Sequence, residues 1–272
     1  MEYVMGVVPS KRDVRDYKLD RGVCTVANYP EYFALDLVPV KNQGSKPTCA
    51  AHAGAEIAEY YYQSQHGSYK QFSTEWIYGT READYYVGNG MSLRDVLVTL
   101  YKYGDVFYEV LPGNNDYQEA MKNVAERRDE LLEESKSHRI TAYFTIHGID
   151  EMKKALTEYG YLLVSMPIYE GDKCIGGDYR SDPKSKYSGN HAVVIYGWYE
   201  KGWLVQNSWG AAWGKLGRFT LPFDFKFNEV WGTADEEIED GEFKKPFRSK
   251  FAKIFARIFN FIINLFKRRT LK

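Results

Sequence analysis

Residues 42–63 read NQGSKPTCAAHAGAEIAEYYYQ, and this stretch decides how the chain is organised. From Thr48 the composition turns rich in Ala and Glu with helical spacing. Pro47 marks the break before it and Thr48 is the expected N-cap. Cys49 then falls in the first turn, where free N–H groups and the helix macrodipole stabilise a thiolate. Position alone does not make a cysteine reactive, because a small buried hydrophobe is the commoner role. Six residues before it stands Gln43, whose side-chain amide could join the Cys49 N–H as donors to a tetrahedral oxyanion. An Asn-Gln-Gly tripeptide alone reads equally well as a turn.

Downstream, helical patterns cover 73–83, 92–103 (stopped by Gly104), a highly charged surface stretch at 117–137, and 149–159. The period then shifts. YLLVSMPIY (161–169), HAVVIYGWY (191–199), GWLVQNSW (202–209) and GRFTLPF (217–223) are short apolar runs separated by glycine, and they read as strands. Helices first and strands later imply an α+β fold, not an alternating parallel sheet. His191 opens one strand and Asn207 follows 16 residues on. Adjacent antiparallel strands would bring the two side chains together, the Asn amide orienting an imidazolium that stabilises the thiolate.

Gln43 through Cys49, His191, and Asn207-Ser208-Trp209-Gly210 followed by Trp213-Gly214-x-x-Gly217 resemble the papain family of cysteine peptidases, in order and spacing. The Cys-to-His interval lies in the range of about 130–150 residues given for that family. The resemblance covers about 34–235. It includes Asp36-Leu37-Val38-Pro39-Val40, like the entry segment of the mature enzymes, and Gly90-Met91-Ser92-Leu93-Arg94, like the cleft-wall glycine and its following helix.

What the resemblance implies is a two-lobed fold. A helical lobe carries Cys49, an antiparallel barrel-like sheet carries His191 and Asn207, and the cleft between them takes an extended peptide. It implies Cys49, His191, Asn207 and Gln43 as catalytic residues, Gly90, Met91, Asn190 and Trp209 as substrate-binding ones, and neither metal nor cofactor. Trp209 would cover the Asn207–His191 bond. The sequence departs from better-known members at Lys46, Pro47 and Ala50, where a disulfide cysteine, a glycine and a tryptophan stand. It has one cleft glycine, Gly90, in place of two. The expected activity is peptide-bond hydrolysis through a thioester; acyl transfer, or a non-hydrolytic binding or membrane-acting role on the same scaffold, is the alternative. Residues 1–33 are a polar arm that either occupies the cleft or packs on the sheet lobe.

Of the other histidines, His52 forms C-x-x-H with Cys49 but lacks a second ligand pair, so a satisfied core or cleft-edge residue is expected. His66, His138 and His147 read as surface residues. The net charge of −1 conceals an asymmetry: residues 235–242 hold six acids, and 243–272 hold ten Lys or Arg and no acid. The wheel over 247–267 places Phe and Ile on one broad face and basic residues on the other. That suits either an anionic membrane surface or docking on protein, with no nucleic acid expected. The apolar run is too short to span a bilayer. Three cysteines and no signal-like N-terminal stretch lead to a cytoplasmic expectation, with peripheral membrane attachment through the tail as the variant. Oligomeric state and cleavage preference leave no trace in the sequence.

Overall fold

The computed structural model describes residues 4–11, 13, 16, 29–81 and 89–235, with the backbone of 238–239 and 242–243. Cys24 and the amphipathic stretch at 247–267 lie outside the described residues. Residues 1–235 form one compact unit and 236–272 a second.

Helix α1 runs Cys49–His66 and is buried on nearly every side along its first half, from Cys49 to Glu59. Its small residues let α2 (Thr74–Gly79) and α3 (Leu93–Lys102) pack against it. Thr48 precedes the helix as expected but does not cap it with its side chain. Its backbone (φ −105, ψ 15) lies outside the extended region that capping residues adopt, and its hydroxyl bonds elsewhere. Ser73 and Ser92 do cap, accepting from Trp76 N–H at 3.1 Å and Asp95 N–H at 3.2 Å.

Helix α2 is shorter than the pattern over 73–83 suggests. At Arg81 the chain has left the helix, and its guanidinium bonds the Gly90 carbonyl. The charged stretch at 117–137 is two helices, α4 (Tyr117–Glu126) and α5 (Arg128–Ser135), followed by a 3-10 turn. The break falls at Arg127, which donates to the Val110 carbonyl (2.7 Å) and to Glu130 (3.0 Å). Helix α6 spans Ile149–Glu158.

The strands are β1 (Phe33–Ala34), β2 (Ala142–Thr145), β3 (Leu162–Tyr169), β4 (Lys173–Ile175), β5 (Asp178–Arg180), β6 (Tyr187–Tyr199), β7 (Gly202–Gln206), β8 (Arg218–Pro222) and β9 (Glu229–Ala234). They form one sheet in the order β2-β9-β3-β6-β7-β8-β5-β4, with β1 also on β6. It is antiparallel except where β5 meets β8. The long β6 is its spine. Met166 of β3 opposes His191 on one side, and Gln206 of β7 opposes Val194 on the other. That register places Asn207, one residue past β7, beside the His191–Val193 stretch of β6.

Two apolar cores follow. One gathers α1–α3 around Trp76, Ile77 and Leu97; the other lies on the sheet around Trp198, Trp203 and Leu221. Each fully buried large side chain contributes about 1.5–3 kcal/mol. The lobes are stitched by polar bonds at their seam. Tyr61 Oη lies 2.7 Å from the Thr233 carbonyl, and Tyr161 Oη donates to the Asp36 carbonyl at 2.8 Å. In the second unit, β10 (Ile238–Glu239) pairs antiparallel with β11 (Glu242–Phe243).

Candidate active site

Cys49 is the first residue of α1 and has no exposed surface. The backbones of Gly6, Ala50 and Ala192 lie close enough to its sulfur to act on its charge. They favour a thiolate, but burial outweighs them and pushes the thiol up. The Ala192 backbone beside the sulfur brings it next to the preceding residue in the chain, His191.

His191 is buried on β6, and its Nε2 donates to Asn207 Oδ1 at 2.7 Å. That bond fixes the tautomer and leaves Nδ1, which has no hydrogen bond, as the nitrogen open to a thiol proton. Asn207 Oδ1 also accepts the Ser208 N–H at 2.8 Å, so the amide cannot turn freely. Trp209 stacks on the imidazole, centroids 4.5 Å apart and planes 26° off parallel, with Trp213 edge-on behind it at 5.0 Å. Desolvation pulls His191 down to about 4, against the Asn207 bond. Both shifts favour a neutral thiol beside a neutral imidazole.

The glycines after Asn207 have a local cause. Gly217 accepts the Asn207 N–H at its carbonyl (3.0 Å), has φ +78, and a Cβ there would lie 2.4 Å from Val40 Cγ1. Only glycine closes the turn that way.

Gln43 lies in the loop before α1. Its N–H donates to the Ser208 carbonyl, and Ser208 Oγ donates to its Oε1, both at 2.8 Å. The amide is therefore oriented, and its Nε2 donates to the Lys46 carbonyl (2.9 Å) and the Val4 carbonyl (3.1 Å). The four residues singled out for chemistry, Gln43, Cys49, His191 and Asn207, are thus brought to one place.

The arm passes through that place. Val7 bridges Met91 in parallel and Asn190 antiparallel. Its N–H donates to the Asn190 carbonyl (3.2 Å), the Val8 N–H to Met91 (3.2 Å), and the Met91 N–H to Gly6 (2.8 Å). Met91 and Asn190 therefore offer backbone edges on opposite sides of one strand-wide slot. Gly90 flanks it, since a Cβ there would lie 2.4 Å from Val8 Cγ2. Gly6 crosses Pro47 so closely that a Cβ would sit 2.1 Å from the Pro47 carbonyl oxygen. Beyond the slot, the Ser10 N–H donates to Glu229 (2.8 Å), and Arg94 pairs with Asp13 (3.2 Å) and Asp16. Trp209 belongs to the His191 side of the site.

His52 is buried, with Nδ1 2.9 Å from the Thr48 carbonyl, and burial depresses it to about 3. Among the described residues no three His, Cys, Asp or Glu side chains are placed to hold a metal. His66 and His147 are exposed. His138 departs from the expected surface role: it is half-buried against Phe72 and Phe107, with Nδ1 3.1 Å from the Asp105 carbonyl. Asn114 was not among the residues singled out, yet it touches both the Gln43 loop and Thr48. Its segment, LPGNND, reads only as a turn.

Similar proteins share this arrangement of the chain. Cathepsin O of Homo sapiens is 39% identical over 69 residues, 24% of this chain and 21% of that protein. Cathepsin B-like cysteine proteinase 3 of Caenorhabditis elegans is 30% identical over 100 residues, 35% of this chain and 27% of that protein. The matched stretches thus span about a quarter of the length of these curated relatives. Among solved structures, xylellain, a cysteine protease from Xylella fastidiosa, superposes with a TM-score of 0.75 at 19% identity, covering 86% of this chain and 97% of that one. The proCathepsin B S9 of Trypanosoma congolense gives 0.65 at 15% identity, covering 86% and 87%. These two likenesses establish the fold. The sequence model described as papain family cysteine protease matches residues 32–228, well over half of the chain, and this chain therefore belongs to the papain family of cysteine proteases.

Proposed function

We propose that the chain is a peptidase that hydrolyses peptide or protein substrates through a thioester on Cys49. The observation that carries this reading is the His191–Asn207 bond of 2.7 Å, roofed by Trp209, with the Cys49 sulfur beside the neighbouring Ala192 backbone. Proton transfer from the thiol to His191 Nδ1 gives the nucleophile. The sulfur attacks the scissile carbonyl carbon, and the Gln43 amide and Cys49 N–H stabilise the oxyanion. As the C–N bond breaks, His191 gives its proton to the leaving amine. Water, deprotonated by His191, then hydrolyses the thioester, releasing the carboxylate and the thiol. An extended substrate takes the Met91 and Asn190 backbone edges by strand addition, the mode the arm itself uses.

The arm keeps this site silent. It covers the sulfur with Gly6 and fills the slot, and by excluding water it favours the uncharged thiol and imidazole. The test is a fluorogenic peptide assay on the full chain and on Cys49→Ala, each with and without Gly6→Leu to displace the arm. Turnover is expected only where Cys49 is present. Turnover by Cys49→Ala would end the mechanism.

A further inference from the structure

We infer that Asn114 is a positioning residue that holds the oxyanion loop at a fixed distance from the nucleophile helix. This rests on the reading of Cys49 and Gln43 given above. Gln43 reaches an oxyanion only if its loop keeps its place relative to the N-terminus of α1, and the intervening Gly44-Ser45-Lys46-Pro47 turn is tied to Gln43 only through Lys46. The Asn114 side chain spans the gap. Its Oδ1 accepts the Thr48 hydroxyl at 3.0 Å, one residue before the nucleophile. Its Nδ2 donates to the Gln43 carbonyl at 3.1 Å and the Asn42 carbonyl at 3.3 Å. One amide thus uses its acceptor on the helix side and its donors on the loop side.

The same contact explains why Thr48 does not cap its helix: its hydroxyl is turned to Asn114. The first N–H groups of α1 are left to the sulfur and to the oxyanion, where a capping oxygen would have competed for them. Asn114 is itself anchored from behind. The buried Glu75 carboxylate accepts from the Asn115 N–H (3.0 Å), the Asn115 side chain (2.8 Å) and the Asn123 side chain (2.8 Å). The residue bridging loop and helix therefore belongs to a loop tied to α2, and the brace has a rigid base.

Asn114→Asp tests the donors with the shape kept. Its carboxylate still accepts from Thr48 but faces two carbonyl oxygens where Nδ2 had donated. Activity is measured on the full chain and again with the arm displaced by Gly6→Leu. Loss of a whole oxyanion donor costs about 100–1,000-fold in kcat. A donor shifted but not removed is expected to cost about tenfold, with KM changed less than about twofold because substrate binding uses the Met91 and Asn190 backbone edges. In a Gln43→Ala background, Asn114→Asp should cost almost nothing more, since the brace acts through Gln43. The same tenfold loss persisting without Gln43, a loss confined to KM, or unchanged kcat in Asn114→Asp would each overturn the brace while leaving Cys49 chemistry intact. Turnover by Cys49→Ala would remove the reading beneath it and the brace with it.

Discussion

Asn207 carries no proton in this chemistry, which makes it a sharp probe of the site at the level of a single side chain. Its Oδ1 accepts from both His191 Nε2 and the Ser208 N–H, so Asn207→Ala frees the imidazole to rotate and to present the wrong nitrogen. Substrate contacts along Met91 and Asn190 are untouched. The expected result is a fall in kcat of about 10–100-fold, about 1.4–2.7 kcal/mol of barrier, with KM nearly constant. Steady-state kinetics on the arm-displaced chain decide it, and a rise in KM at constant kcat would assign Asn207 to substrate binding. Residues of this kind were legible in the sequence because their chemistry demands particular types in order: a cysteine opening a helix, a histidine on a strand, an amide after the next strand; β6 itself begins four residues before His191, at Tyr187. Ser208 and Asn114 were not. Each works through ordinary amide and hydroxyl bonds that only the folded geometry creates, and a loop such as LPGNND looks the same whether or not its asparagine holds anything.

Among the elements, the arm has the largest consequence. Three backbone hydrogen bonds seat residues 6–8 between Met91 and Asn190, and at about 1 kcal/mol each they hold the cleft closed by about 3 kcal/mol. Gly6 has no room for a side chain over the Pro47 carbonyl. Gly6→Leu should forfeit most of that energy and raise kcat/KM for a short peptide by about a hundredfold. Equal kcat/KM for the two full-length chains would leave the arm a packing element only. Its polar composition announced an arm but could not choose between cleft and sheet lobe, because the decision lies with one missing Cβ. Helices α1, α3 and α6 were readable from their periodicity and end signals. The stretch 117–137 was not, because its charged residues suit one long helix as well as two. The break depends on Arg127 reaching a carbonyl at Val110, remote in sequence. Strands β2, β4, β5 and β9 escaped notice for a related reason: β4 and β5 are three residues each, and β2 and β9 owe their pairing to one another and to β3.

At the scale of the whole molecule, buried ionisable groups set how stability varies with pH. Beneath α1, Lys41 pairs with Glu59 at 2.5 Å, while Glu56 and Asp105 are buried nearby and form no ion pair among the described residues. Desolvation raises Glu56 to about 8 and holds Asp105 well above the usual carboxyl range. A carboxyl raised in this way keeps its proton in the native chain after the unfolded chain has released it. Stability present below about 4.5 is therefore lost as pH rises through about 8. His52 and His191 act with the opposite sign. Depressed to about 3 and about 4, they contribute stability that is full above 6.5 and lost as pH falls through those values. About one pH unit above 6.5 the histidines are nearly neutral in both states, so towards pH 8 the raised carboxyls set the slope and stability declines. One proton held only by the native state corresponds to about 1.4 kcal/mol per pH unit. Gln mimics the protonated carboxyl in shape, so Glu56→Gln should remove that share of the slope and leave the acid side unchanged. Reversible urea unfolding of the full chain and of Glu56→Gln at pH 7.5 and 8 measures it; an identical decline in Glu56→Gln would mean that Glu56 is already ionised in the native state and that its charge is met by Lys41.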